Sequence, residues 1–161
     1  MIVVADTSPI SYLAELDLVH LLPALYQTIL LPETVHAELL DDSAPMSVRT
    51  WATNIPSWVD LRRNVVPVHS SLDHLDLGER AAIELAIEVK AHVLLADERK
   101  ARAAATQLFG IAVTGTLGVL RQAHLMGLVD GTVAMQQLTT RTTFHHTPKL
   151  VQDFLQSLHR I

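Results

Sequence analysis

Two short apolar runs constrain this chain more than any other feature. Ile2-Val3-Val4-Ala5 stops on Asp6, and Val93-Leu94-Leu95-Ala96 stops on Asp97. Apolar runs of this length bounded by polar residues read as strands buried on both faces. Further strands are expected at Ile29 to Leu31, near Trp58 to Leu61, and at Ile111 to Val113. Helical spacing fills the intervals: about Asp17 to Leu25, Thr34 to Leu40, Val48 to Thr53, DLGERAAIELAIEVK, and ERKARAAATQLFG closed by Gly110. After a turn at Thr114 and Gly115 a helix runs through about Met126, and the end of the chain, from Thr147 and Pro148, is helical in character. Strands alternating with helices imply βαβ units and a mainly parallel sheet covered on both faces, so the class is α/β.

At the first strand end, Ser8 is the expected N-cap and Pro9 the first helical residue, which leaves Asp6 without a local duty. A carboxylate at the end of a buried strand is a candidate functional group. Asp97 is placed in the same way, or it caps the helix beginning near Glu98. In open parallel sheets ligands bind beyond the carboxyl ends of the strands, where strand order reverses, so the two acids can share one crevice. Helical phase adds two more. Val35 and Leu39 mark one apolar face, with Glu38 at its edge and Glu33 on the far side. Ala82, Leu85, Ala86 and Val89 mark another, with Glu79 at its edge and Glu84 nearly opposite. Glu38 and Glu79 can therefore reach the crevice, whereas Glu33 and Glu84 are expected in solvent. The spacing of Asp76 and Glu79 also fits a capping box, a purely local duty.

Two carboxylates about 4 Å apart repel by roughly 4 kcal/mol at an effective dielectric of 20. Three or four together need a cation or must take up protons. Mg²⁺ and Mn²⁺ favour hard oxygen ligands, and a cation so held activates water for attack on a phosphodiester. Arg99, Lys100 and Arg102, directly after Asp97, offer positive charge to a phosphate or form an exposed basic helix face.

Composition limits the alternatives. With 161 residues, 49% of them apolar, one domain is expected. The absence of cysteine excludes a disulfide frame and a thiolate site, and suits a reducing cytosol. A net charge of −5 argues against coating nucleic acid through a bulk positive field, and much of that charge can belong to one site. No signal peptide and no membrane span are recognised, so a soluble, cytoplasmic protein is expected. Ser8 stands where aspartyl-phosphate phosphatases need a second aspartate, Gly115 and Gly118 fall short of G-x-G-x-x-G, and His145-His146 lacks a second pair at zinc spacing. Trp51 and Trp58 are expected in the core.

Taken in order, VVADTSPISYLAEL, LPETVHAELL, LDLGERAAIELAIE, VLLADERKARAAA and VTGTLGVLRQAHLMGLV resemble the PIN-domain-like family of short prokaryotic proteins related to VapC-type toxins. The resemblance covers nearly the whole chain and is weakest between Asp41 and Leu72. It implies a three-layer sandwich whose parallel sheet of four or five strands, in the order 3-2-1-4-5, lies between helices, with the strands ending at Asp6 and Asp97 side by side. It also implies a Mg²⁺- or Mn²⁺-dependent ribonuclease, often the toxin of a toxin–antitoxin pair. Asp6, Glu38 and Asp97 then bind metal, with Glu79, where many PIN proteins have aspartate, as the fourth acid. Thr7 or Ser8 orients Asp6 or a metal water, Arg99 meets the substrate, and Thr114 and Thr116 help hold a phosphate at a helix start.

Expected partners are RNA, an antitoxin protein and a second copy of the chain. Leu13, Leu16, Leu18 and Leu21, with the stripe Leu150, Phe154, Leu155 and Leu158, offer a dimer seam or a groove for an amphipathic antitoxin helix, or else pack on the sheet. The functional alternative is a non-catalytic protein-binding module on the same fold.

Overall fold

The computed structural model describes residues 1–159. Its five strands, β1 (Val3–Ala5), β2 (Ile29–Pro32), β3 (Val59–Arg62), β4 (Val93–Leu95) and β5 (Val113–Thr114), form one parallel sheet in the order β3-β2-β1-β4-β5. The helices are α1 (Thr7–Glu15), α2 (Leu21–Tyr26), α3 (Glu33–Leu40), α4 (Met46–Thr53), α5 (Leu77–Glu88), α6 (Arg99–Phe109), α7 (Thr116–Leu125), α8 (Gly131–Arg141) and α9 (Pro148–Ser157).

Alternate strand residues face opposite ways and so build two cores. Val3, Ala5, Ile29, Leu31 and Leu95 pack with Ile10 and Leu13 of α1 and Val119 and Leu120 of α7. On the other face Val4, Leu30, Leu94 and Ala96 pack with Ile83 and Leu85 of α5 and Ala101 and Ala105 of α6. The result is a three-layer α/β sandwich. Because β2 and β3 extend the sheet to one side of β1 and β4 and β5 to the other, strand order reverses between β1 and β4. This is the switch point at which such sheets form a crevice.

Several local details differ from the sequence reading. Asp6, not Ser8, is the N-cap of α1: its backbone is extended, and its Oδ1 accepts a 2.7 Å hydrogen bond from Thr7 N–H. Pro9 sits in the first turn, where N–H groups have no helical partner and the missing donor costs little. The helix expected from Asp17 starts only at Leu21, because Asp17 adopts φ 57° and breaks the chain into a turn. Thr114 lies in β5 rather than in a turn. Both arms of the Asp76–Glu79 capping box are formed. Gly110 closes α6 at φ 65°, as its position after a helical run suggests.

Glu84 is not in solvent; it is 2% exposed. Helical phase accounts for one covering layer, but residues 63–72 lie over the other side of α5. There Val68 N–H donates to Glu84 Oε2 at 3.0 Å, and His69 Nδ1 lies 2.6 Å from Oε1. The His69 ring stands edge-on to Phe109, and Arg80 ties the same segment to α5 through His69 C=O and Asp73.

The apolar helix faces at the two ends of the chain are likewise covered from within. Leu13, Leu16, Leu21, Phe154 and Leu158 are buried in one core, while Leu18 and, on α9, Leu150, Val151 and Leu155 are half-exposed. A charge at Phe154 would thus disrupt the chain's own packing and could not report a dimer seam. Trp51 and Trp58 pack together against the same core.

Removing one partner of a buried carboxylate's hydrogen bonds costs about 1–3 kcal/mol. Glu84→Gln should lower stability by that amount in urea denaturation, whereas Glu33→Gln, at an exposed site, should stay within about 0.5 kcal/mol.

Candidate active site

The crevice begins where β1 and β4 end together. Asp6 N–H donates to Leu95 C=O at 2.9 Å, and the parallel register pairs Ala5 with Leu95. Asp6 and Asp97 are therefore one residue out of phase, and their side chains leave on different sides of the sheet edge.

Asp6, 4% exposed, lines a cavity of about 640 Å³ with Thr7, Ser8, Glu38 and Glu79. Helix α3 packs on both α1 and α5, which places Glu38 over their first turns. The Thr7 hydroxyl donates to Glu38 Oε2. On the other side, a Cβ at Gly78 would fall 2.5 Å from both Glu38 carboxylate oxygens, so a side chain there would displace the carboxylate from this position. Glu79 is oriented by the capping box: its N–H donates to Asp76 Oδ1 and its Oε1 accepts from Asp76 N–H.

Asp97 faces a neighbouring cavity of about 650 Å³, which Thr114 also lines. It caps no helix of its own, since Glu98 is the N-cap of α6. Instead it reaches across to α7, where Thr116 N–H and O–H each donate to one carboxylate oxygen at 2.7 Å. Thr116 is fully buried in that role. Gly115 permits the approach, because a Cβ there would lie 2.7 Å from Asp97 Oδ1. The structure thus gathers Asp6, Glu38 and Glu79 in one crevice and sets Asp97 beside them. Glu98 and Arg99 line both cavities and join the two.

Sequence reasoning passed over His74 and the acid of Glu98, which also line the acid crevice beside the expected Arg99 and Lys100. Adjacency to Asp97 in the stretch ADERK was the available signal for Glu98. Among the described residues, no three acidic or imidazole side chains stand together as a ready-made metal cage.

The electrostatics are those of acids short of positive charge. Burial, with the charges of Glu79, Asp76 and Glu38, pushes the Asp6 carboxyl up to about 7 against the opposing Thr7 N–H bond. Burial also raises Glu79, against its Asp76 bond, and Asp97, against the Thr116 bonds and the Arg102 charge. None of the described ion pairs involves Asp6, Glu38 or Glu79.

An acid raised on folding stabilises the native state at low pH and loses that contribution as pH rises through the folded value. In metal-free buffer, stability should therefore fall between about pH 4 and pH 7. At about 1.4 kcal/mol per pH unit between the unfolded value and about 7, the Asp6 share is on the order of 4 kcal/mol. Denaturation curves across this range should show the fall in wild type and a much flatter profile in Asp6→Asn, which retains a capping side chain.

No curated protein and no solved structure gives a match to this chain. A family model described as a PIN domain matches residues 2–160. The strand order β3-β2-β1-β4-β5 between helical layers is that of the PIN fold. With a family match over nearly its full length, the chain belongs to the PIN-domain family, a nuclease-type fold whose members are generally hydrolases.

Proposed function

We propose that this protein is a Mg²⁺- or Mn²⁺-dependent endoribonuclease that hydrolyses RNA phosphodiester bonds, and that it is the toxin of a toxin–antitoxin pair. The observation that carries the reading is the crevice of Asp6, Glu38 and Glu79 at the switch point, in which none of the three acids forms an ion pair among the described residues. The donor set fits a hard divalent cation, since all of it is carboxylate oxygen. Absence of a closed cage is compatible with this, because Mg²⁺ keeps several waters and takes only one or two carboxylates directly. Asp6 and Glu79, with Glu38, would hold the ion, and Asp97 would approach from the adjoining cavity. Such an ion supplies positive charge to the acids and to the phosphate, together with activation of water.

The chain's own residues set up the remainder. Thr7 orients two acids at once, Asp6 through its N–H and Glu38 through its hydroxyl. Ser8 lines the same crevice. Thr116 fixes the Asp97 carboxylate and so serves by positioning it. Arg99 and Lys100, exposed on the first turn of α6, supply positive charge where a phosphate would enter. Thr114, at the end of β5, lines the Asp97 cavity.

An open acid crevice also suits silencing by a protein partner that inserts an arginine, whose bidentate guanidinium replaces the metal's charge. Inhibition of that kind competes with metal. Val151 and Leu155 line an open apolar groove along α9, a surface on which a partner helix or a second copy would dock. Among the described residues, no helix is long and apolar enough to cross a membrane.

RNA cleavage with added Mn²⁺ or Mg²⁺, with and without chelator, tests the reading. Wild type should cleave only with metal, and Asp6→Asn should fall to background while remaining folded. Full activity in Asp6→Asn would remove the assignment.

A further inference from the structure

The cavity on the Asp97 side contains features that handling a phosphate and a metal does not require. Tyr12 of α1 and Phe144 of the α8–α9 loop meet edge to face, with ring centroids 5.3 Å apart at 82°. Both are half-buried, and the exposed His145 lies beside them. The cavity volume, about 650 Å³, falls within the range of small-ligand sites. Its charges balance locally, Arg99 and Arg102 against Asp97 and Glu98. A second phosphate needs an excess of positive charge. A flat neutral ring stacks on aromatic and guanidinium groups, and Tyr12, Phe144, Arg99 and Arg102 line the cavity.

Position adds the second argument. Glu98 and Arg99 form a wall common to this cavity and the acid crevice, so the two are contiguous. A strand whose phosphate lies at Arg99 carries a neighbouring base to the aromatic side. We infer that the Tyr12–Phe144 cavity is a nucleobase subsite, occupied by the base of a nucleotide next to the hydrolysed bond. The substrate class is then RNA unpaired at that position, because a paired and stacked base cannot enter. This inference rests on the ribonuclease reading above.

The test uses an RNA octamer with 2-aminopurine at every second position and a matching octamer with abasic sites there. Binding is read in the Asp6→Asn chain with Mn²⁺, which does not turn over, and KM and kcat are read in the wild-type background. The fluorophore should be quenched on binding, and the abasic octamer should bind about tenfold more weakly, as expected for loss of one stacked base. Phe144→Leu preserves apolar volume against the core; it should lose the quench and raise KM about tenfold, with kcat within about twofold. Tyr12→Leu should do the same, and serves if Phe144→Leu does not fold. An unchanged quench and KM in a folded variant, with wild type still cleaving, would overturn the subsite and leave the ribonuclease reading standing; a cavity that takes a partner protein's side chain gives this result. Wild type that neither binds nor cleaves RNA would remove both.

Discussion

Asp6 sits at the end of β1, its buried carboxylate accepting, among the described residues, one hydrogen bond, from Thr7 N–H, and feeling the charges of Glu79, Asp76 and Glu38. Burying an acid beside other acids is costly, and the fold meets that cost by holding the proton on Asp6 up to about 7. In the proposed reading, this shortage of positive charge is what a bound cation would relieve. Other features of the structure serve it. The parallel sheet brings β1 and β4 together, α3 packs on α1 and α5 to deliver Glu38, and Gly78 leaves space beside the Glu38 carboxylate.

The one-residue offset between Asp6 and Asp97 divides the work. Had the two been in phase, their carboxylates would share one face and repel directly. In this register Asp97 is held by Thr116 and looks into the aromatic cavity, while Asp6 looks into the acid crevice. Glu98 and Arg99 stand between. In the proposed reading, a substrate strand drawn across this boundary would meet charge on one side and aromatic side chains on the other.

Much of this was legible in the sequence because the strands are short, buried on both faces and closed by aspartates, and because helical phase places Glu38 and Glu79 correctly. The failures are equally physical. Ser8 looked the better N-cap, but the strand of the neighbouring β4 fixes Asp6 N–H and leaves its side chain at the helix start. Glu84 looked solvated because phase sees a helix with one covering layer, and residues 63–72 supply a second. The division of Asp6 from Asp97 depends on inter-strand register, which no single strand's sequence encodes. Likewise, nothing local links Tyr12 to Phe144, which the fold brings together from distant parts of the chain.

The central claim is that this crevice is completed by a divalent cation. Metal that binds the native state alone raises stability by mass action, about 2.7 kcal/mol at a hundred times its dissociation constant. Thermal unfolding with increasing Mn²⁺ at pH 8, where Asp6 is ionised, measures this most directly. The account predicts a wild-type midpoint that climbs by roughly 5–10 °C at saturation, a smaller climb at pH 5.5 where the proton competes, and little response in Asp6→Asn. A wild-type midpoint that does not respond to Mn²⁺ at either pH would contradict it.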